Sequence, residues 1–157
     1  MSDARLTHVD ETGAARMVDV SAKAVTAREA TAAGRVLVSP EVVALLRGEG
    51  VPKGDAIAVA RIAGIAGAKR TPDLIPLCHP IALHGVTVEL EVTDEAVEIT
   101  ATARTADRTG IEMEALTSVA VAGLTVIDMV KAVDPRASIT DVRLLAKSGG
   151  KSGEWRR

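Results

Sequence analysis

Apolar and polar residues alternate with a period of two over "VTAREATAAGRVLV", residues 25–38, and again on both sides of "TDEA" in "HGVTVELEVTDEAVEITATART". That period sends successive side chains to opposite faces of a sheet. It predicts a first strand bent at Gly34, then an antiparallel hairpin with Val86, Val88, Leu90 and Val92 on one face. Between and after these runs the spacing changes to that of helices. "SPEVVALLRGEG" offers Ser39 as N-cap, Pro40 at the first helical position and Glu41 in the first turn, with Gly48 and Gly50 ending the helix. "AIAVARIAGIAGAKR" predicts a second helix with Gly64 and Gly67 as close-contact points and Pro72 as its stop. "TGIEMEALTSVAVAGLTVIDMVKAVD" predicts a long helix stopped by Pro135, and "SITDVRLLAKS" a last strand before the glycine-rich "GGKSG".

Strand, helices, strand, strand, helix, strand is the order of the split βαβ arrangement. The expected fold is therefore ferredoxin-like α+β, a four-stranded antiparallel sheet with helices on one face. Residues 1–16 show no hydrophobic periodicity and contain Gly13, so they are expected to form a flexible N-terminal arm. Residues 17–157 then make one domain, ending in a flexible Gly/Lys-rich tail. A chain of 157 residues that is 47% hydrophobic is long enough for one core. Phe and Tyr are absent and Trp155 is the single tryptophan, so that core must be aliphatic, which allows helices to approach closely.

Nineteen basic residues against twenty-one acidic ones give a net charge of -2. With no aromatic platforms for bases, this argues against nucleic acid as a partner. The apolar stretch "ALTSVAVAGLTVIDMV" is too short to span a bilayer, and Glu114 and Asp128 would both need partners there. One cysteine cannot form an internal disulfide, and the polar, acidic start lacks a targeting pattern. The expected location is the cytoplasm.

Few side chains are candidates for chemistry. "GKS" at 150–152 resembles a nucleotide-binding loop, but the pattern needs glycine where this chain has Leu145. Two readings remain: a solvated tail, or an anion-binding loop built from glycine N–H groups with Lys147 and Lys151. In "LIPLCHP", Pro76 and Pro80 bracket Cys78 and His79. With His84 these are too few for a structural zinc site. Cys78 reads as a small hydrophobe or a nucleophile, and His79 as a turn residue or a hydrogen-bond and proton partner. Lys53, Lys69 and Arg70 are either solvated or converge on a polyphosphate.

The long helix carries the sharpest pattern. Glu114 and Asp128 are fourteen residues apart, which brings them to within about 40° of one face, and Lys131 lies one turn past Asp128. Asp128 and Lys131 form either a surface i,i+3 pair, with Glu112 and Glu114 complementing the helix dipole, or part of a site. A rise of 1.5 Å per residue separates Glu114 from Asp128 by about 21 Å, too far for one site within a chain. Antiparallel pairing of two copies would bring them together twice, as a twofold interface permits.

The phrases "MVDVSAKAVTAREA", "KGD", "ARIAGI", "AKRTPDLIPLCHP", "TGIEMEAL", "DMVKA" and "VRLLAKSGGKSG" resemble the cyclic pyranopterin monophosphate synthase family over about Leu6 to Gly153. The resemblance implies conversion of 3',8-cyclo-7,8-dihydroguanosine 5'-triphosphate to cyclic pyranopterin monophosphate, with release of diphosphate, in molybdenum cofactor biosynthesis. It implies a hexamer of three dimers with active sites between subunits. Asp128 matches the family's catalytic aspartate and Lys131 a lysine assisting proton transfer. Leu77, Cys78, His79, Met113 and Glu114 match substrate-contacting segments, with His79 as proton partner and Cys78 chiefly packing. Lys53, Lys69 and Lys147 match cationic positions for the triphosphate, and Glu112 and Arg28 fall in recurrent phrases. No redox cofactor or protein-built metal site is implied, although magnesium can accompany the triphosphate. The chain departs from the family pattern at Ile127, where tyrosine is frequent, at Val130, where cysteine is frequent, and at Arg108, where lysine is. The rival expectation is a catalytically silent ferredoxin-like module that binds a small anion at a dimer interface.

Overall fold

The computed structural model describes residues 4–48 and 56–157. Elements follow in the order β1 (Thr26–Leu37), α1 (Pro40–Leu46), α2 (Ala56–Lys69), α3 (Thr71–Leu74), β2 (Gly85–Val92), β3 (Ala96–Asp107), α4 (Glu112–Val130), β4 (Ser138–Ser148) and β5 (Trp155–Arg156). The strands lie side by side as β2-β3-β1-β4-β5, and every pairing is antiparallel. Without β5 this is the expected split βαβ sheet, with α2 crossing from β1 to β2 and α4 from β3 to β4.

The fifth strand is a difference from the expected four. The tail does not trail away after Ser148: Gly149, Gly150 and Gly153 take φ of +89°, +74° and +67° and turn the chain back. Trp155 then pairs with Lys147 and Arg156 with Ala146. Glycine reaches these left-handed conformations without the Cβ clash that other residues meet. A second difference is α3, one short turn with Pro72 near its start, where the second helix was expected to end. In the expected arm, Asp10 Oδ1 accepts from the Thr12 and Ala14 amides, and Val9 bridges Ala15.

Residue size explains how the layers meet. Ala30, Ala32 and Val36 of β1 and Val97, Ile99, Ala101 and Ala103 of β3 face the buried side of Ala115, Val119, Ala122 and Val126 on α4. These small residues let the helix sit low on the sheet. A Cβ at Gly34 would lie 2.7 Å from Val119 Cγ1, so the glycine in the first strand marks the closest approach, where the β1–β4 register also shifts. Gly67 of α2 meets α4 in the same way, with its would-be Cβ 2.8 Å from Val121 Cβ. Helix α4 is long and apolar enough for a membrane span by composition, but half of that stretch is buried inside this fold.

The opposite face of the sheet is polar. Arg35 pairs with Glu98 at 2.9 Å, Arg104 with Glu29 at 2.5 Å, and the Thr31 and Thr102 hydroxyls meet at 2.9 Å. At the far end, buried Asp134 accepts from the Ser39 and Arg136 amides at 2.8 and 3.0 Å. It ties the exit of α4 to the start of α1, where Ser39 Oγ caps the Val42 amide as expected.

Candidate functional site

Four segments converge at the N-terminal end of α4: the start of β1, the proline-bracketed loop after α3, the β3–α4 turn and the end of β4. The loop is held by β3. Thr105 Oγ1 donates to the Ala82 carbonyl, the Ala82 amide donates to Asp107 Oδ2 at 3.3 Å, and the Ala106 amide donates to His84 Nδ1 at 3.2 Å. These bonds hold the loop that carries Leu77, Cys78 and His79, all half-buried, and Cys78 lies close enough to Glu114 and Glu112 in the first turn of α4 for both charges to act on its thiol. His79 Nε2 is hydrogen-bonded to the Val18 carbonyl.

The first turn of α4 supplies Glu112, Met113 and Glu114. Glu114 is only 3% exposed, and its carboxyl is pushed up to about 7, chiefly by burial, with the neighbouring Glu112 charge acting in the same direction. It shares a cavity of about 330 Å³ with Lys69, Pro80, Ile81 and Leu83. Burial also raises the Cys78 thiol, and the Glu114 and Glu112 charges raise it further. Such a thiol stays protonated, which fits packing and not nucleophilic attack.

Cations approach from the strands. Lys147 Nζ donates to Glu112 Oε1 at 3.0 Å. Arg28 Nε donates to the Asp107 carbonyl at 3.3 Å, and the rest of its guanidinium lies over Gly150, where a Cβ would come within 2.1 Å of Nη1. The glycines in "GGKSG" thus make room for an arginine as well as turning the chain. Glu112 in turn curls back over Gly110, and a Cβ there would overlap its carboxylate.

Asp128 and Lys131 stand at the other end of the same helix. They form an exposed ion pair with each other, and Lys131 is the helix C-cap. Within one chain the structure therefore gathers Arg28, Lys69, Leu77, Cys78, His79, Glu112, Met113, Glu114 and Lys147 at one end of α4 and leaves Asp128 and Lys131 at the other. Lys53 lies outside the described residues. Among the described residues no group of three or more His, Cys, Asp and Glu side chains is arranged to hold a metal ion.

The structure also adds parts that residue patterns did not indicate. Asp107 anchors the loop, and its carboxyl is lowered chiefly by the Arg108 amide that donates to it. Arg108 Nε donates to the Lys23 carbonyl at 3.1 Å, so its position as an arginine still serves a contact. Neither role leaves a periodic signal, since both depend on chain segments far apart in sequence.

Residues 17–150 match the MoaC family. The chain belongs to that family. Over 153 residues, 98% of this chain and 86% of the relative, it is 78% identical to the cyclic pyranopterin monophosphate synthase of Streptomyces griseus. It is 69% identical to the protein of that name from a Nocardioides species, covering 100% of this chain and 99% of the relative. It is 60% identical to cyclic pyranopterin monophosphate synthase 2 of Mycobacterium tuberculosis, covering 97% and 91%. The MoaC family match takes in both ends of α4 and the proline-bracketed loop.

Proposed function

We propose that this chain converts 3',8-cyclo-7,8-dihydroguanosine 5'-triphosphate to cyclic pyranopterin monophosphate with release of diphosphate, in molybdenum cofactor biosynthesis. The observation that carries the reading is the buried Glu114, with its carboxyl near 7, facing a cavity that also holds Lys69 and lying close to Cys78. The rearrangement needs proton transfers near neutral pH, and an acid that titrates there can both give and take a proton. Expelling diphosphate builds negative charge, and Arg28, Lys69 and Lys147 are cations suited to it. Lys147 would exchange Glu112 for a phosphate oxygen.

Asp128 and Lys131 enter from a second subunit in this proposal. Their exposure at the opposite end of α4 supports an antiparallel pairing that builds two sites per dimer, and three such dimers would make the hexamer. The substrate is a small nucleotide derivative. Magnesium would arrive with the triphosphate and not in a protein-built cage. The reaction is assigned to the cytoplasm, where a lone thiol such as Cys78 stays reduced.

The test is turnover. Purified protein given the cyclic dihydroguanosine triphosphate should release one diphosphate per product. Binding of that compound with no diphosphate released would favour the silent anion-binding module instead.

A further inference from the structure

The segment leading into β1 runs beside the proline-bracketed loop, where Val18 meets His79. Val18 and Val20 are half-buried between exposed Met17, Asp19 and Ser21. Asp19 Oδ1 accepts from the Ser21 amide at 2.9 Å, closing a local turn. Two contacts pin the segment from outside: His79 Nε2 holds the Val18 carbonyl, and Arg108 Nε holds the Lys23 carbonyl at 3.1 Å. Residues 17–21 thereby form one wall of a cavity of about 510 Å³, with His79, Pro80 and Arg108 on the others.

The contact to Val18 decides which imidazole nitrogen is available. A carbonyl oxygen only accepts, so Nε2 must be the nitrogen that carries hydrogen. Nδ1 has no hydrogen-bond partner among the described residues. In the neutral ring it holds the lone pair.

We propose that Met17–Ser21 is a positioning strap: the Val18 carbonyl holds His79 by Nε2–H, and Nδ1 is the nitrogen that accepts a hydrogen bond from an N–H or O–H of the substrate. The proposal rests on the synthase reading and deepens it.

Three variants of the full-length protein separate the two nitrogens. In His79→Gln the side-chain amide reaches about as far as Nε2 and retains a donor for Val18, but nothing replaces Nδ1. In His79→Asn the amide oxygen falls near the Nδ1 position and the strap contact is lost. His79→Ala loses both. Two readouts apply: the rate of trypsin cleavage after Arg16 and Lys23, and kcat and KM for diphosphate release, with circular dichroism confirming that each variant is folded. The strap in His79→Gln should be cut as slowly as in the unaltered protein, and in His79→Asn and His79→Ala at least several-fold faster. His79→Gln should lose about 100-fold or more in kcat, the scale of a misplaced proton or hydrogen-bond partner, and should fall below His79→Asn. A strap in His79→Ala cut no faster than in the unaltered protein would overturn the positioning role. Turnover in His79→Gln at the unaltered rate would overturn the assignment of Nδ1. If the unaltered protein released no diphosphate, the synthase reading would fall, while the cleavage rates would still decide the strap.

Discussion

Lys147 Nζ lies 3.0 Å from Glu112 Oε1, so the end of strand β4 is tied to the first turn of α4 by a half-buried ion pair. A phosphate would compete with Glu112 for the lysine. Glu112→Gln removes the competitor while keeping the shape. Inorganic diphosphate should bind the variant several-fold more tightly, and Lys147→Ala more weakly, as isothermal titration would measure. Equal affinities in all three proteins would remove Lys147 from the anion site.

Glu114 gives a pH dependence with a defined sign. Its folded-state pKa of about 7 stands above the ordinary value of 4.5, so the folded protein favours the neutral acid. That contribution to stability is complete below about pH 4.5 and is lost as the pH rises through 7. Glu114→Gln carries no such loss. The variant should melt at a higher temperature than the parent at pH 8, and the difference should shrink as the pH is lowered toward 5. Its turnover should fall by about 10² to 10⁴, the range for removing an acid or base. Thermal melts across pH check the first expectation, and diphosphate release checks the second.

Cys78 should behave as a packed thiol. With its ionisation suppressed by burial and by Glu114 and Glu112, alkylation by iodoacetamide at pH 7.5 should run slower than for a free cysteine peptide. Cys78→Ala should keep turnover within a few-fold. Rapid alkylation together with complete loss of activity would make Cys78 a participant in the chemistry.

The contact between α2 and α4 is tight enough for one methyl group to matter. Gly67→Ala would place a Cβ 2.8 Å from Val121 Cβ, inside normal contact distance. Overpacking of this kind costs about 1 to 3 kcal/mol. Urea denaturation should show a midpoint shift of that size, and an unchanged midpoint would mean the helices can slide apart at little cost.

The architecture was readable wherever side chains repeat. The period of two in Val86, Val88, Leu90 and Val92, the capping Ser39 and the glycines of α2 each leave a local mark, and all appear in the structure where the pattern set them. Strand β5 left none. Two residues after a glycine-rich turn pair through backbone atoms, as when the Arg157 amide donates to the Leu145 carbonyl, and backbone bonding is indifferent to sequence. The site divides in the same way. Cys78, His79, Glu114 and Asp128 stand out in the sequence because their residue types are scarce or oddly placed in an aliphatic chain. The pairing of Glu112 with Lys147, 35 residues on, and the hold of Val18 on His79, 61 residues on, arise from folding and have no local trace.

In the proposed reaction the two ends of α4 act together only across subunits. Asp128 and Lys131 are exposed, and an exposed ion pair contributes about 0 to 1 kcal/mol, so Asp128→Asn should leave the fold intact while abolishing turnover. Glu114→Ala should be inactive through the opposite end. The most direct measurement is diphosphate release from oligomers in which the two inactive chains have been mixed by unfolding and refolding together, with heteromer content verified by mass spectrometry. Recovered activity is expected in the mixture, because a site formed between two different chains can combine an intact Glu114 with an intact Asp128. Verified mixed oligomers that remain as inactive as either parent would contradict it.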